Sequence, residues 1–155
     1  MDPVVLLHHT VCGGLAAAGF GVLFNFGWRS LPWCAASGAL ALAVRTLALA
    51  QGLSLEGSSF LAAVTVGAAV QLLHSRIGVS RNTLDAVGCI PMIPGGFAAK
   101  GILGLFAVTL QHPAGTDQAF LEALESALRV TFTIGALGTG LAMPILVVRA
   151  RGRRP

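Results

Sequence analysis

The sequence predicts an all-α, polytopic transmembrane helical bundle of about five helices, the fourth broken at Pro91–Gly96, and three observations predict it. Over 155 residues the chain is 55% hydrophobic and 10% charged, with a mean hydropathy of +0.80, a composition outside that of soluble proteins. Five stretches, 3–24, 31–51, 57–75, 83–110 and 120–148, reach the ~20 residues needed to cross a bilayer. Short polar links separate them, and the fourth is interrupted by two prolines and two glycines. Residues 1–155 therefore read as a single integral membrane domain with a basic tail at 149–155 and no room for a soluble domain.

Charge orients the chain. With alternating sides, Arg29, Arg76, Arg81, Arg149, Arg151, Arg153 and Arg154, seven of the ten basic residues, share one face, while Asp2, Glu56 and Asp117 fall on the other. The positive-inside rule makes the arginine-rich face cytoplasmic, with the N-terminus outside and the C-terminus inside. An even number of spans would spoil this segregation. The same distribution excludes nucleic acid as the partner behind a pI near 9.8, because four of the ten cations crowd the last seven positions. Met1-Asp2-Pro3 lacks a basic n-region and a small-residue cleavage site, so the first apolar segment reads as a retained helix.

The first helix carries Gly13, Gly14, Ala17 and Gly21, small residues at spacings of three and four that let a neighbouring backbone approach closely. His8 and His9 are adjacent, point to different sides of a helix and lack a second ligand, so neither a metal nor a haem is read there. The link 25–33 places Trp28 and Trp33 at interface depth, with Ser30 before Pro32 as a helix start. In the second helix Arg45 lies about a turn and a half from the end at Gln51, either inside a polar cavity or snorkelling outward. The third offers Ser58, Ser59, Thr65, Gly67 and Ala68 for close packing, with Gln71 and His74 at its cytoplasmic end. Cys12, Cys34 and Cys89 sit in separate apolar segments without CxxC spacing and read as small apolar fillers.

Asn82, with Asp85 three residues on, reads as the start of a half-helix of about two turns that ends at the break. In Ile90-Pro91-Met92-Ile93-Pro94-Gly95-Gly96, the prolines lack N–H groups and the glycines accept unusual dihedrals, so backbone polar groups are freed. In hydrocarbon these are tolerated only when buried in protein or lining a water-filled cavity. The half-helix beginning near Gly95 exposes unpaired N–H groups and a partial positive charge suited to a carboxylate or phosphate, with Lys100 about a turn and a half further on. A proline kink that serves packing alone is the competing reading. The turn 112–117 follows, then an amphipathic start in which Glu125 pairs with Arg129 four residues later. Gly135, Gly138 and Ala142 form another small-residue stripe before Pro144.

End to end the chain resembles the threonine/serine exporter (ThrE) family, in its small-subunit, YjjB-like branch. The likeness rests on Gly19-Phe20-Gly21 through Phe24-Asn25, Arg29 with Leu31-Pro32, Gly38 and Arg45, Phe60-Leu61-Ala62-Ala63 with Gly67, Ile90 to Gly95, and Gly135 to Pro144. It implies a bacterial inner-membrane exporter of small amino or organic acids, threonine and serine or a dicarboxylate such as succinate, working with a larger membrane subunit of the same family. Lys100 and Arg129 lie outside the matching pattern.

The candidate substrate-binding residues are thus Arg45, Pro91, Pro94, Gly95, Gly96, Lys100 and Asn25, the last from the stretch that carries the likeness. A small carboxylate docks at the half-helix N-terminus with Arg45 as charge partner. Neither a cofactor nor a catalytic residue is assigned, since no Ser/His/Asp set, carboxylate pair or metal set can be assembled at membrane depth. Asp85 and Glu56 read as interfacial, which leaves no proton-coupling carboxylate in the interior. Five helices without an inverted repeat do not supply the two halves of an alternating-access machine, so a hetero-oligomer in the membrane is expected. The alternatives are a structural or regulatory membrane subunit without its own site and, less well supported, a passive channel.

Overall fold

The computed structural model describes residues 2–77, 81–110 and 116–152, and among them helices and turns are present without any strand. The helices are α1 (Pro3–Leu23), α2 (Leu31–Ala50), α3 (Leu55–Ile77), α4 (Arg81–Cys89), a single 3₁₀ turn (Ile90–Met92), α5 (Gly95–Leu110) and α6 (Thr116–Gly152). Four of them, α1, α2, α3 and α6, contain stretches long and apolar enough to cross a membrane, and there are five spans if Leu84–Met92 and Gly95–Leu110 form one broken span. The chain divides into two compact units, Met1–Met92 with Ala136–Pro155, and Ile93–Gly135.

Local chemistry sets the boundaries. Pro3 opens α1, where its missing N–H costs nothing. The helix closes with a Schellman pair: the Phe26 amide donates to the Gly21 carbonyl and the Asn25 amide to the Val22 carbonyl, both at 2.9 Å. That closure requires a left-handed residue, and Asn25 supplies it at φ 58°. The end of α2 repeats the device, with Gly52 at φ 87° and the Leu53 amide donating to the Ala48 carbonyl at 3.2 Å. Ser54 caps α3 by accepting the Gly57 amide at 3.1 Å, so α3 starts two residues before the expected 57. Asn82, expected as a helix start, lies inside α4, which begins at Arg81. The last helix runs from Thr116 to Gly152, longer than the apolar run 120–148, because its polar first turns are helical too.

In the first unit, small residues bring backbones together. Gly13, Gly14, Ala17 and Gly21 are all buried in α1. Across from them, a Cβ added at Gly38 of α2 would collide with the Ala17 side chain and the Gly13 carbonyl. Gly88 of α4 sits equally tightly on Ser37 of α2, where an added Cβ would lie 2.7 Å from Oγ. Cys34 and Cys89 are buried apolar fillers, while Cys12 is exposed. The stripe expected at Gly135, Gly138 and Ala142 is on the wrong side of α6: added Cβ atoms at the two glycines would meet nothing within 4 Å, and Ala142 is exposed. The packed residue is Gly140, whose added Cβ would lie 2.8 Å from the Phe60 carbonyl and from Ala63 Cβ, with Pro144 and Leu141 against Gly67. A shift of two positions turns a helix face by roughly 200°, which separates the two stripes.

In the second unit, α5 and the first half of α6 pair through Gly101 and Gly104, which face Ala123 and Ala127. Much of the apolar surface of α5, including Ile102, Leu103, Phe106 and Leu110, is exposed in the single chain, as a surface facing acyl chains requires.

Gly38→Val should therefore lower the thermal midpoint of the detergent-purified protein by an amount corresponding to at least ~1–3 kcal/mol of overpacking. Gly19→Val, where an added Cβ meets nothing within 4 Å, is the control and should shift it far less.

Candidate functional site

The break is built by two missing donors. Pro91 cannot return a hydrogen bond to the Val87 carbonyl, nor Pro94 to that of Ile90, so the helix tightens into one 3₁₀ turn over Ile90–Met92 and stops. It restarts at once: the Gly95 amide donates to the Ile93 carbonyl at 2.8 Å, and the Phe97 and Ala98 amides share the Pro94 carbonyl at 3.1 Å each. The interruption is shorter than Pro91–Gly96, since Gly95 and Gly96 are the first residues of α5.

The Met92 carbonyl accepts a hydrogen bond from Arg45 Nη1 at 2.8 Å, across 47 positions of sequence and wholly within the first unit. This decides between the two readings of Arg45. The half-buried side chain turns to the break rather than snorkelling to the helix end. A guanidinium carries five N–H donors in a rigid fork, and this bond uses one. Arg45 can therefore hold the broken turn and still present a fork to a carboxylate.

The remaining sequence candidates fall in different places. Pro91 lies in the 3₁₀ turn and is partly buried; Asn25 is exposed, and its backbone closes α1. In the second unit Pro94 is buried, while Gly95, Gly96 and Lys100 are exposed. Added Cβ atoms at Gly95 and Gly96 would meet nothing within 4 Å, and the Gly96 amide has no protein acceptor among the described residues. The start of α5 is thus open, as an anion-accepting helix terminus must be. Arg129 bonds Glu125 with Nε and Nη2, each at 3.0 Å, the pair expected from their spacing, and lies 5.8 Å from the centre of the Phe97 ring. The ring contact was not legible, because it joins α5 to α6 rather than neighbours on one helix.

Two features escaped the sequence reading. Asp85, read as interfacial, is only 4% exposed, in a helix packed against α2 and α3. Its polarity argued for a helix end, but Leu84, Val87 and Gly88 beside it form the buried face of α4. His9 Nδ1 is 3.2 Å from Thr46 Oγ1 on α2, so the histidine next to the small-residue stripe joins two helices.

Several apolar helices of spanning length, with an arginine bonded to the turn at which one helix breaks, fit a multi-pass membrane protein. A family model described as threonine/serine exporter, ThrE, matches residues 9–147, and the chain belongs to that family. No solved structure matches it.

Arg45→Met leaves the Met92 carbonyl without its donor and should destabilise the protein by ~1.5–3 kcal/mol, with faster amide exchange over 93–98. Glu125→Gln should stay within about 0.5 kcal/mol, since the Arg129–Glu125 side chains are 43% and 64% exposed. Thermal melts with exchange mass spectrometry of both variants check the contrast.

Proposed function

We propose that this chain is a subunit of a secondary transporter exporting small amino or organic acids across the bacterial inner membrane, and that Arg45 is its anion contact. The observation that carries the reading is the bond from Arg45 to the Met92 carbonyl. A cation is held at a break in a membrane span with donors to spare, and family membership supplies the exporter class. In this reading Pro91 and Pro94 keep the turn open. Arg45 takes the substrate carboxylate through its free edge, and a freed carbonyl near Pro91 accepts a hydrogen bond from a polar substituent. Gly95, Gly96 and Lys100 offer a second anion-accepting locus in the other unit, and Asn25 serves the α1 closure. The chemistry is binding and release, without a covalent step. The seven-arginine face is cytoplasmic, with the N-terminus periplasmic.

A larger membrane subunit of the same family is the expected partner, because five spans without an inverted repeat form half of an alternating-access machine. The competing reading is a structural subunit in which Arg45 only ties the break.

Efflux of preloaded labelled threonine, serine and succinate, from cells expressing the chain with and without the larger subunit, tests both. The exporter reading expects efflux only with both chains. Arg45→Ala should cut it at least tenfold while the complex assembles at normal abundance, and Arg45→Lys should restore it only in part. Efflux indifferent to this chain overturns the reading; loss of the complex in Arg45→Ala assigns the residue to structure.

A further inference from the structure

The second unit contains a groove of about 340 Å³ between α5 and α6, lined by Lys100 of α5 and by Glu122 and Ser126 of α6, with Gly104 and Ala123 among the small residues beside them. Its depth follows from the packing already described. Gly104 has no side chain and lies against Ala123, so the two helices approach closely and leave the longer polar side chains standing on either side.

Three properties of the groove are not explained by the fold. Lys100 and Glu122 carry opposite charges and line one groove, yet they do not pair with each other. Neither bonds another charged side chain among the described residues, Arg129 being committed to Glu125. Ser126 is 8% exposed, and its hydroxyl makes no hydrogen bond among the described residues. This is unlike the other buried hydroxyls. Ser37, Ser58, Ser59 and Thr133 each donate to a carbonyl one turn back in their own helix, at 2.7–2.9 Å. That back-bond is the default for a helical serine in apolar surroundings, and Ser126 instead keeps its hydroxyl open to the groove. A lone exposed lysine or glutamate is an ordinary solvated charge. A largely buried serine that forgoes this back-bond and turns its hydroxyl to a groove shared by two uncommitted opposite charges completes a set of contacts lacking its ligand.

We propose that the α5–α6 groove is a binding subsite for a small zwitterion: Lys100 takes the carboxylate, Glu122 the ammonium group, and Ser126 a polar substituent between donor and acceptor roles. The assignment follows from what each group can do. An ammonium side chain only donates, a carboxylate only accepts, and a hydroxyl does both. The same pair selects by repulsion, since Glu122 disfavours a second carboxylate and a dicarboxylate is excluded where an amino acid is held. The ligand class rests on the exporter reading above, whereas the site rests on the groove.

The test is equilibrium binding to the full chain in lipid nanodiscs, alone and co-purified with the larger subunit. The probes are L-threonine and three analogues, each lacking one group: the methyl ester, the N-acetyl derivative and L-2-aminobutyrate. Wild type should bind each charge-deleted analogue about tenfold or more weakly than threonine, and the hydroxyl-deleted one several-fold more weakly. Each variant should cancel one penalty and leave the others: Lys100→Met that of the ester, Glu122→Gln that of the N-acetyl compound, Ser126→Ala that of aminobutyrate. A residue that only supports the fold would weaken all four ligands together, and that result overturns the subsite. So do penalties unchanged in the variants, absence of threonine binding in both preparations, or a Ser126→Cys thiol that stays closed to a small water-soluble reagent, which would mean that protein covers the groove. Failure here with threonine efflux intact and still dependent on Arg45 removes the subsite alone. Efflux indifferent to the chain removes the exporter reading.

Discussion

A carbonyl without an amide partner is the constraint around which this chain is built. Inside hydrocarbon, a backbone acceptor left unpaired costs several kcal/mol, which is why spanning segments are helices and why a helix rarely stops at mid-depth. Pro91 and Pro94 force a stop by removing the donors to Val87 and Ile90. Past the break the Gly96 amide does not bond the Met92 carbonyl as it would in a continuous helix, so the sequence must supply that carbonyl's donor from elsewhere. It does so with Arg45, whose bond to Met92 ties the broken turn to α2. The arginine and the break support each other. The break gives a cation in an apolar helix something to bond, and the cation lets an irregular turn persist.

That tie places a demand on the rest of the first unit. For Arg45 to reach Met92, α4 must lie directly on α2, and the Gly88–Ser37 approach permits this only because the glycine has no side chain. The Gly13–Gly38 approach does the same for α1 and α2, and Gly140 against Ala63 for α6 and α3. Since lipid tails are as apolar as leucine, burial drives helix association weakly here, and close backbone packing takes its place. Glycine therefore acts as the main packing residue, and the buried aliphatic side chains, such as Leu84, Val66 and Met92, fill what remains.

How far the sequence was legible follows from which interactions are local. Helix identity, the break and the Arg129–Glu125 pair are set by composition, proline chemistry and spacing along one helix, and each is visible in the chain. The α1 stripe was legible because glycines at three- and four-residue spacing share one face. The same pattern misled at Gly135, Gly138 and Ala142, since spacing shows that residues share a face but not which face meets a neighbour. The burial of Asp85 and of Ser126 was hidden for the same reason: it depends on the helices opposite. The direction of Arg45 was open because its acceptor is 47 positions away and belongs to a carbonyl, which has no sequence signature.

The two units divide the polar chemistry in a way that bears on how such a small chain takes part in transport. In the first, the buried Ser37, Ser58 and Ser59 hydroxyls are back-bonded and Arg45 is bound to the broken turn. In the second, Lys100, Glu122, Ser126 and the Gly96 amide are left without partners among the described residues. An unbonded polar group is costly only when buried, and these four are accessible, which leaves them available to a ligand or a second chain. On the proposed reading each unit then contributes contacts of its own, Arg45 from the first and Lys100, Glu122 and Ser126 from the second.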